Sequence, residues 1–483
     1  MTTHTALRTM KVRTTPAEDL DAAHSGPRPM EGRRRLLGLV LLVSAQFLVM
    51  LDASIVNVAL PSIQSELGFG PAGVTWVVNA YVLAFAGLLL LTGRAADLFG
   101  RRRVFTAGGW LFTIGTLVAA TAVSQQLLIA GRVVQGVGAA ALSPAAMAML
   151  LAAFPTGRAR AMGAWGAAST LGGATGVMAG GLLAGTVGWR AIFVVTIPVS
   201  LSAVVLARHL LAEGAPGPRR RVDWAGAVAV TGAVIALVHG AVDAVDHPWT
   251  SPRVAGVLGL SVLLVAVFVL VERRVVDPLV PLGLFRSGAL SSGVALALLG
   301  GSVRASTFVL VALHLQQVLT MSPEQAGIAM VPTSLAGFVV SLVVLPRVLG
   351  AVGPARSLVL GLVVLAVGHL WLAHAPADAY EIAVLPGLLL VATGVALSFT
   401  PTTMVVTAAA PATHTGLASG LAAAAMQVGA ALGTAAFIVV GVSVGGGALD
   451  ASGSSAAFTA AALVALSTAL LGQRVARTTG GGA

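Results

Sequence analysis

Residues 91–105, LTGRAADLFGRRRVF, form a short basic stretch with one carboxylate, Asp97, between two runs that are apolar on all sides. A helix that is apolar all round is buried, either in protein or in lipid. The rest of the chain decides between the two. Of its 483 residues 57% are hydrophobic and only 9% are charged, and the mean hydropathy is +0.95, a composition no ordinary soluble domain has. Lipid is therefore the main solvent, and the basic stretch reads as a loop between two membrane spans.

A span needs about 20 apolar residues. Fourteen such stretches can be read from Leu36 onward, among them 74–92 and 104–123 around the basic loop, and 325–345 and 357–375 further on. Charge supports that count. Of the 28 Lys and Arg residues, all but four fall in the tail before the first span or in loops that follow even-numbered spans. The exceptions are Arg132 and Arg304, inside spans, and Arg190 and Arg253, on opposite loops that also carry Glu66, Asp243, Asp246, Glu324, Asp378, Glu381 and Asp450. The positive-inside rule then predicts a multi-pass protein of the cell's inner (plasma) membrane with both termini cytoplasmic, and an odd count would invert every later loop. The net charge of +11 reflects loops facing an anionic leaflet rather than nucleic acid.

Residues 1–35 are polar and read as a disordered tail. The signal-like RRRLLGLVLLVSA at 33–45 runs on in apolar sequence to Ala59, so it reads as an uncleaved first span. With no cysteine there is no disulfide framework and no thiolate metal site; no metal site is expected.

Three ionisable residues fall inside spans, at about 2.5 to 3.5 kcal/mol each on insertion scales: Asp52, Arg132 and Arg304. Asp52 lies about 24 Å along the outward-running first span and Arg132 about 8 Å down the inward-running fourth, so both occupy the outer half at similar depth. Arg304 also falls in the outer half, on span nine. Such residues mark substrate or proton paths, with snorkelling or a structural ion pair as the alternative. Gln46, Asn57, Gln135, Arg304, Gln316 and Gln427 are candidates to line a substrate cavity, and any of the amides can instead hydrogen-bond between helices. His239, His314, His369 and His374 read as interfacial residues near outer helix ends. In span five, Gly172, Gly176 and Gly180 share one helix face, with Gly181 beside them, a pattern that lets two helices approach closely. Gly416, Gly420, Gly429 and Gly433 repeat the theme near the C-terminus.

LDASIVNVALPSIQ at 51–64, GRAADLFGRRR at 93–103 and RVVQGVGAAALSP at 132–144 resemble, in order and spacing, motifs of the major facilitator superfamily, specifically its fourteen-span drug:proton antiporter branch. GWRAIFVVTIP at 188–198, DWAG at 223–226 and LQQVLTMSPEQAG at 315–327 extend the resemblance over most of the chain. It implies an all-α membrane protein of 14 transmembrane helices. Two six-helix halves, 36–212 and 287–474, would be related by a pseudo-twofold axis around a cavity, with two inserted helices and linkers at 213–286 and a tail at 475–483. It further implies a monomeric, proton-coupled exporter of lipophilic drugs, antibiotics or secondary metabolites. Such a transporter works by alternating access on the proton gradient, with no cofactor.

In that reading Asp52 and Arg132 couple protons, and Gly93, Asp97, Gly100, Arg101 and Arg102 form a conformational latch. Asp97 would face a helix start within PATHTGLASG at 411–420, capped by Thr413 or Thr415. The glycine face of span five resembles the antiporter motif, except that Val177 stands where a proline is expected. A symporter or importer of a small organic solute on the same fold stays open. Enzyme, channel and nucleotide-pump readings lose ground because no H-E-x-x-H, no repeated polar ring and no G-x-x-x-x-G-K-[ST] is present. Taken together, the three intramembrane charges predict a cavity of net positive sign that favours neutral, zwitterionic or anionic amphiphiles over dications.

Overall fold

The computed structural model describes residues 32–155, 157–211, 223–376, 380–447 and 449–480. Residues 1–31 of the expected tail, most of the linker at 213–222 and the side chain of Val177 lie outside the described residues. Among the described residues there are no strands and 13 helices long and apolar enough to cross a membrane. They are α1 Arg33–Leu67, α2 Trp76–Phe99, α3 Arg101–Ala120, α4 Gln125–Ala153, α5 Arg158–Thr186, α6 Ala191–Leu210 and α7 Trp224–Ala244, followed by α8 Pro252–Glu272, α9 Gly288–Val318, α10 Gln325–Ala373, α11 Tyr380–Ala408, α12 Thr415–Val444 and α13 Ala451–Ala476.

Two features depart from the sequence reading. The basic loop is one residue long: LTGRAADLF completes α2, RRR opens α3, and Gly100 alone turns the chain, at φ 100°. A side chain would be strained in that left-handed region. In addition, the expected spans 325–345 and 357–375 fall within one run, the 49-residue α10. At 1.5 Å per residue it is about 74 Å long, more than twice a hydrocarbon core. It is broken inside at Gly353, φ 78° and ψ 171°, followed by Pro354.

Helices α1–α6 pack mainly on one another, as do α9–α13. Leu42, Leu48, Phe105 and Phe112 belong to one apolar cluster, and Val303, Leu362, Val384 and Phe458 to another. The two groups meet along two seams, α2 with α12 and α5 with α10 and α11. Helix α7 lies across α2 and α12, and α8 packs on α7, leaving Val262, Leu263 and Leu270 exposed for lipid.

Prolines inside α4 and α11 leave a carbonyl without its helical donor, and a neighbouring helix supplies one in each case. Thr92 Oγ1 of α2 donates to Ala140 O, four residues before Pro144, at 2.6 Å. Ser357 Oγ of α10 donates to Leu397 O, four residues before Pro401, at 3.1 Å. At the far ends, Trp189 Nε1 donates to Glu66 at 2.8 Å and Arg190 pairs with the same carboxylate, tying the end of α1 to the start of α6. Asp450 opens α13, accepting from Gly453 N and Ser452 Oγ at 2.7 Å each. These donors hold its carboxyl below the ordinary carboxylate range.

The glycine face of α5 packs on α1. A Cβ at Gly172 would stand 2.5 Å from Phe47 O, one at Gly180 would stand 2.6 Å from Ile55 O, and one at Gly176 would overlap Ser54 Oγ. Gly181 is off this seam, since its Cβ would meet only Val58 Cγ1 at 3.6 Å. Gly176→Leu is therefore expected to abolish a monodisperse elution peak in detergent, while Gly181→Leu elutes as the parent does. Size-exclusion chromatography of the two variants checks this, and equal behaviour would remove the seam from α1–α5 packing.

Candidate functional site

Helix α1 separates two polar environments. Gln46, Met50 and Ser54, four residues apart, line a central cavity of about 500 Å³ between the two helix groups. Asp52 falls on the opposite face of the same helix, and it is fully buried. Arg132 Nη1 donates to Asp52 Oδ2 at 2.6 Å and to Gln135 Oε1 at 2.9 Å. Gln135 Nε2 donates to Asp52 Oδ1 at 3.0 Å and also contacts Thr116 Oγ1 at 2.9 Å. Arg132 Nε donates to Val77 O at 3.0 Å, and the guanidinium lies over the Tyr81 ring, 4.3 Å from its centroid.

A buried ion pair holds together only when its remaining donors and acceptors are also bonded. Here both carboxylate oxygens are bonded, and the network reaches α1, α2, α3 and α4. Two glycines make room for it: a Cβ at Gly115 would stand 2.5 Å from Gln135 N, and one at Gly136 would stand 2.6 Å from Tyr81 O.

The cavity itself is mostly apolar, with methionine and aromatic walls that include Met147, Trp165, Met330, Phe399 and Met426. Its only ionisable lining residue, among the described residues, is Arg304. Gln46 sits in one wall, donating to Ser169 Oγ at 3.0 Å and accepting from Ser143 Oγ at 3.1 Å, and so joins α1, α4 and α5. Gln427 lines the opposite group's wall.

Three of the expected cavity residues do not line it. Gln135 is consumed by the Asp52 network. Asn57 is exposed and donates to Ala53 O of its own helix at 3.0 Å. Gln316 is exposed on the π-helical turn His314–Val318. The charges also do not pool: Asp52 and Arg132 neutralise each other behind α1, so the cavity's positive sign rests on Arg304 alone.

The histidine reading is corrected as well. His314 and His369 are buried, bonded to Ser454 Oγ at 2.7 Å and Thr307 Oγ1 at 3.0 Å respectively, with Phe458 against both rings. Helix-end position alone does not reveal which side of a helix faces its neighbours.

At the α2–α12 seam the Asp97 side chain is 3% exposed. It accepts from Gly416 N at 2.9 Å and Leu417 N at 2.8 Å, the otherwise unpaired first-turn donors of α12. Arg101 stands 3.5 Å away, one turn along. The backbones touch beside it, since a Cβ at Gly93 would be 2.6 Å from Gly416 O. Of the expected cap residues, Thr413 bonds His414 Nδ1 instead, at 3.0 Å. Arg102 does not face Asp97; it donates to Leu211 O at 3.2 Å, beyond the end of α6.

The second seam closes alongside the first, with α5 Gly163 against α10 Pro346 and Ser341 O, and Gly166 against α11 Thr400. Sequence reading missed Gly163, Ser341 and Thr400, along with Tyr81 and Thr116. Tyr81 carried a usable signal, being one of only two tyrosines and set in an apolar run; the hydroxyl residues look like any others in a helix.

The family model of the Major Facilitator Superfamily matches residues 42–434. The cephamycin export protein CmcT of Amycolatopsis lactamdurans is 38% identical over 83% of this chain and 84% of its own. The puromycin resistance protein pur8 of Streptomyces alboniger is 37% identical over 86% and 82%. Among solved structures, the human organic anion transporter MFSD10 (TETRAN) aligns with a TM-score of 0.67 at 16% identity, over 92% of this chain and 100% of that one, a likeness of fold. A motif-bearing helical scaffold around an apolar cavity, and these relatives, converge: the chain belongs to the Major Facilitator Superfamily and is a membrane transporter, not an enzyme.

Proposed function

We propose that the protein exports lipophilic drugs, antibiotics or secondary metabolites across the plasma membrane by proton-coupled alternating access, with Asp52 and Arg132 as the coupling pair. The observation that carries this reading is the double use of α1, cavity on one face and buried carboxylate on the other. The names of its relatives, which specify antibiotic export and resistance, favour export over uptake. The protein needs no cofactor, works as a monomer in lipid and draws its energy from the proton gradient.

The topology we propose has fourteen crossings, with α10 supplying two of them on either side of Gly353, and both termini cytoplasmic. It comprises the two six-helix halves and the inserted pair α7 and α8. The Asp97 end is then cytoplasmic and closed by both seams, and the cavity communicates with the outside. Protonation of Asp52 removes the charge that holds Arg132, freeing α1 from α4. Helix α5 follows α1, because Gly172, Gly176 and Gly180 place no α5 side chain between them and bring its backbone against α1. The cavity wall thus moves when the proton binds.

The test is accumulation of lipophilic dyes and antibiotics in an efflux-deficient bacterium expressing the chain, with and without a protonophore. Lower accumulation that the protonophore restores is the expected result. Accumulation above that of empty-vector cells would establish uptake and reject export.

A further inference from the structure

Arg304 is 4% exposed and lines the central cavity, yet Nε, Nη1 and Nη2 all lack a hydrogen-bond partner among the described residues. The guanidinium folds back over Gly300, one turn earlier on α9, where a Cβ would stand 2.5 Å from Nη1. Among the described residues no acidic residue lines the cavity, and the intramembrane carboxylate of Asp52 is occupied by Arg132 and Gln135. Three further lining groups, Ser341 Oγ, Thr400 Oγ1 and Ser419 Oγ, are also buried without partners. A buried cation with open donors is costly unless something pairs with it. Among the described residues, the other intramembrane charges beside the cavity, Asp52 and Arg132, are paired with each other, whereas Arg304 is the ionisable residue in the lining of the space a substrate would occupy, with its donors open.

We infer that the cavity recognises a lipophilic monoanion, whose carboxylate-type group pairs with Arg304 while its apolar body lies against the methionine and aromatic walls. This rests on the reading of the cavity as the substrate site and narrows it to a substrate class. The planar guanidinium presents paired N–H donors that match two carboxylate oxygens. A cation in the same place would meet an unscreened positive charge and no acid to answer it. The unpartnered hydroxyls supply neutral donors and acceptors for the polar groups of the body.

The probes are dansylated undecanoic acid and its carboxamide, which share shape and apolar area and differ in one charge. Equilibrium binding to the full-length protein in phosphatidylcholine nanodiscs, followed by dansyl fluorescence, should favour the acid by about tenfold or more. Arg304→Gln should bring the ratio of acid to amide affinity to about one, and Arg304→Lys should keep most of the preference. The lysine variant serves if the glutamine variant fails to fold: retained preference supports charge pairing. Equal binding of both probes by the parent, or a preference that survives in Arg304→Gln, would overturn the inference. A preference that disappears when phosphatidylglycerol replaces phosphatidylcholine would assign the site to a lipid headgroup and overturn it as well. Because binding is read without a gradient, failure of proton-driven export in cells leaves this result standing, and the reverse also holds.

Discussion

Asp52→Asn is expected to reduce protonophore-sensitive efflux to the level of empty-vector cells while the protein still elutes as a single species. Asparagine keeps the shape and one acceptor oxygen for Arg132, and loses the bond that Gln135 Nε2 donates to the second carboxylate oxygen. The scaffold survives the loss of one bond, but asparagine cannot take up or release a proton. Removing the partner altogether has a different effect. Arg132→Ala leaves a buried carboxylate uncompensated, a loss of about 3 to 5 kcal/mol, and should lower the thermal unfolding midpoint measured in detergent. Combining Asp52→Asn with Arg132→Gln removes both charges and should recover stability without recovering transport. That double variant separates holding helices together from coupling a proton. Transport restored in it would reject the coupling role.

Asp97→Ala should release the α2–α12 seam. Each of the two bonds to Gly416 N and Leu417 N involves a charged acceptor and is worth about 1.5 to 3 kcal/mol. Their joint loss is enough to shift the population of closed and open arrangements more than tenfold. The chain contains no cysteine, so one placed at Ser419, buried and facing the cavity near this seam, reports opening without background. Reaction with an impermeant maleimide applied from the Asp97 side should be at least about tenfold faster in the Asp97→Ala background. Asp97→Asn, whose amide oxygen still accepts one bond, should fall between. Unchanged labelling would show that the glycine contacts hold the seam by themselves, and Gly93→Leu would then be the variant that opens it.

The membrane class, the helical fold and the positions worth examining were legible because they depend on local quantities. Composition, apolar run length and the side bias of arginine are summed along the chain and need no partners. Asp52 and Arg132 stood out because an ionised group in lipid is costly whatever surrounds it. The glycine face of α5 was legible for a similar reason, since spacing alone places Gly172, Gly176 and Gly180 on one stripe.

Partnership was decided only by tertiary structure, because it depends on which faces of separate helices meet. The sequence shows Gln135 and Gln46 as equivalent polar residues, yet packing sends one into the carboxylate network and the other into the cavity wall. Gln316 and Asn57 show the converse, being polar residues on exposed faces. The one-residue turn at Gly100 and the break at Gly353 rest on positive-φ backbone conformations, 100° and 78°, that apolar run length does not announce. The sequence by itself determined that this chain crosses a membrane repeatedly and carries three charges inside it. The tertiary structure decided that two of those charges cancel behind α1 and the third faces the cavity alone, because pairing over an N···O distance of 2.6 Å between residues 52 and 132 is a property of packed helices and of no segment alone.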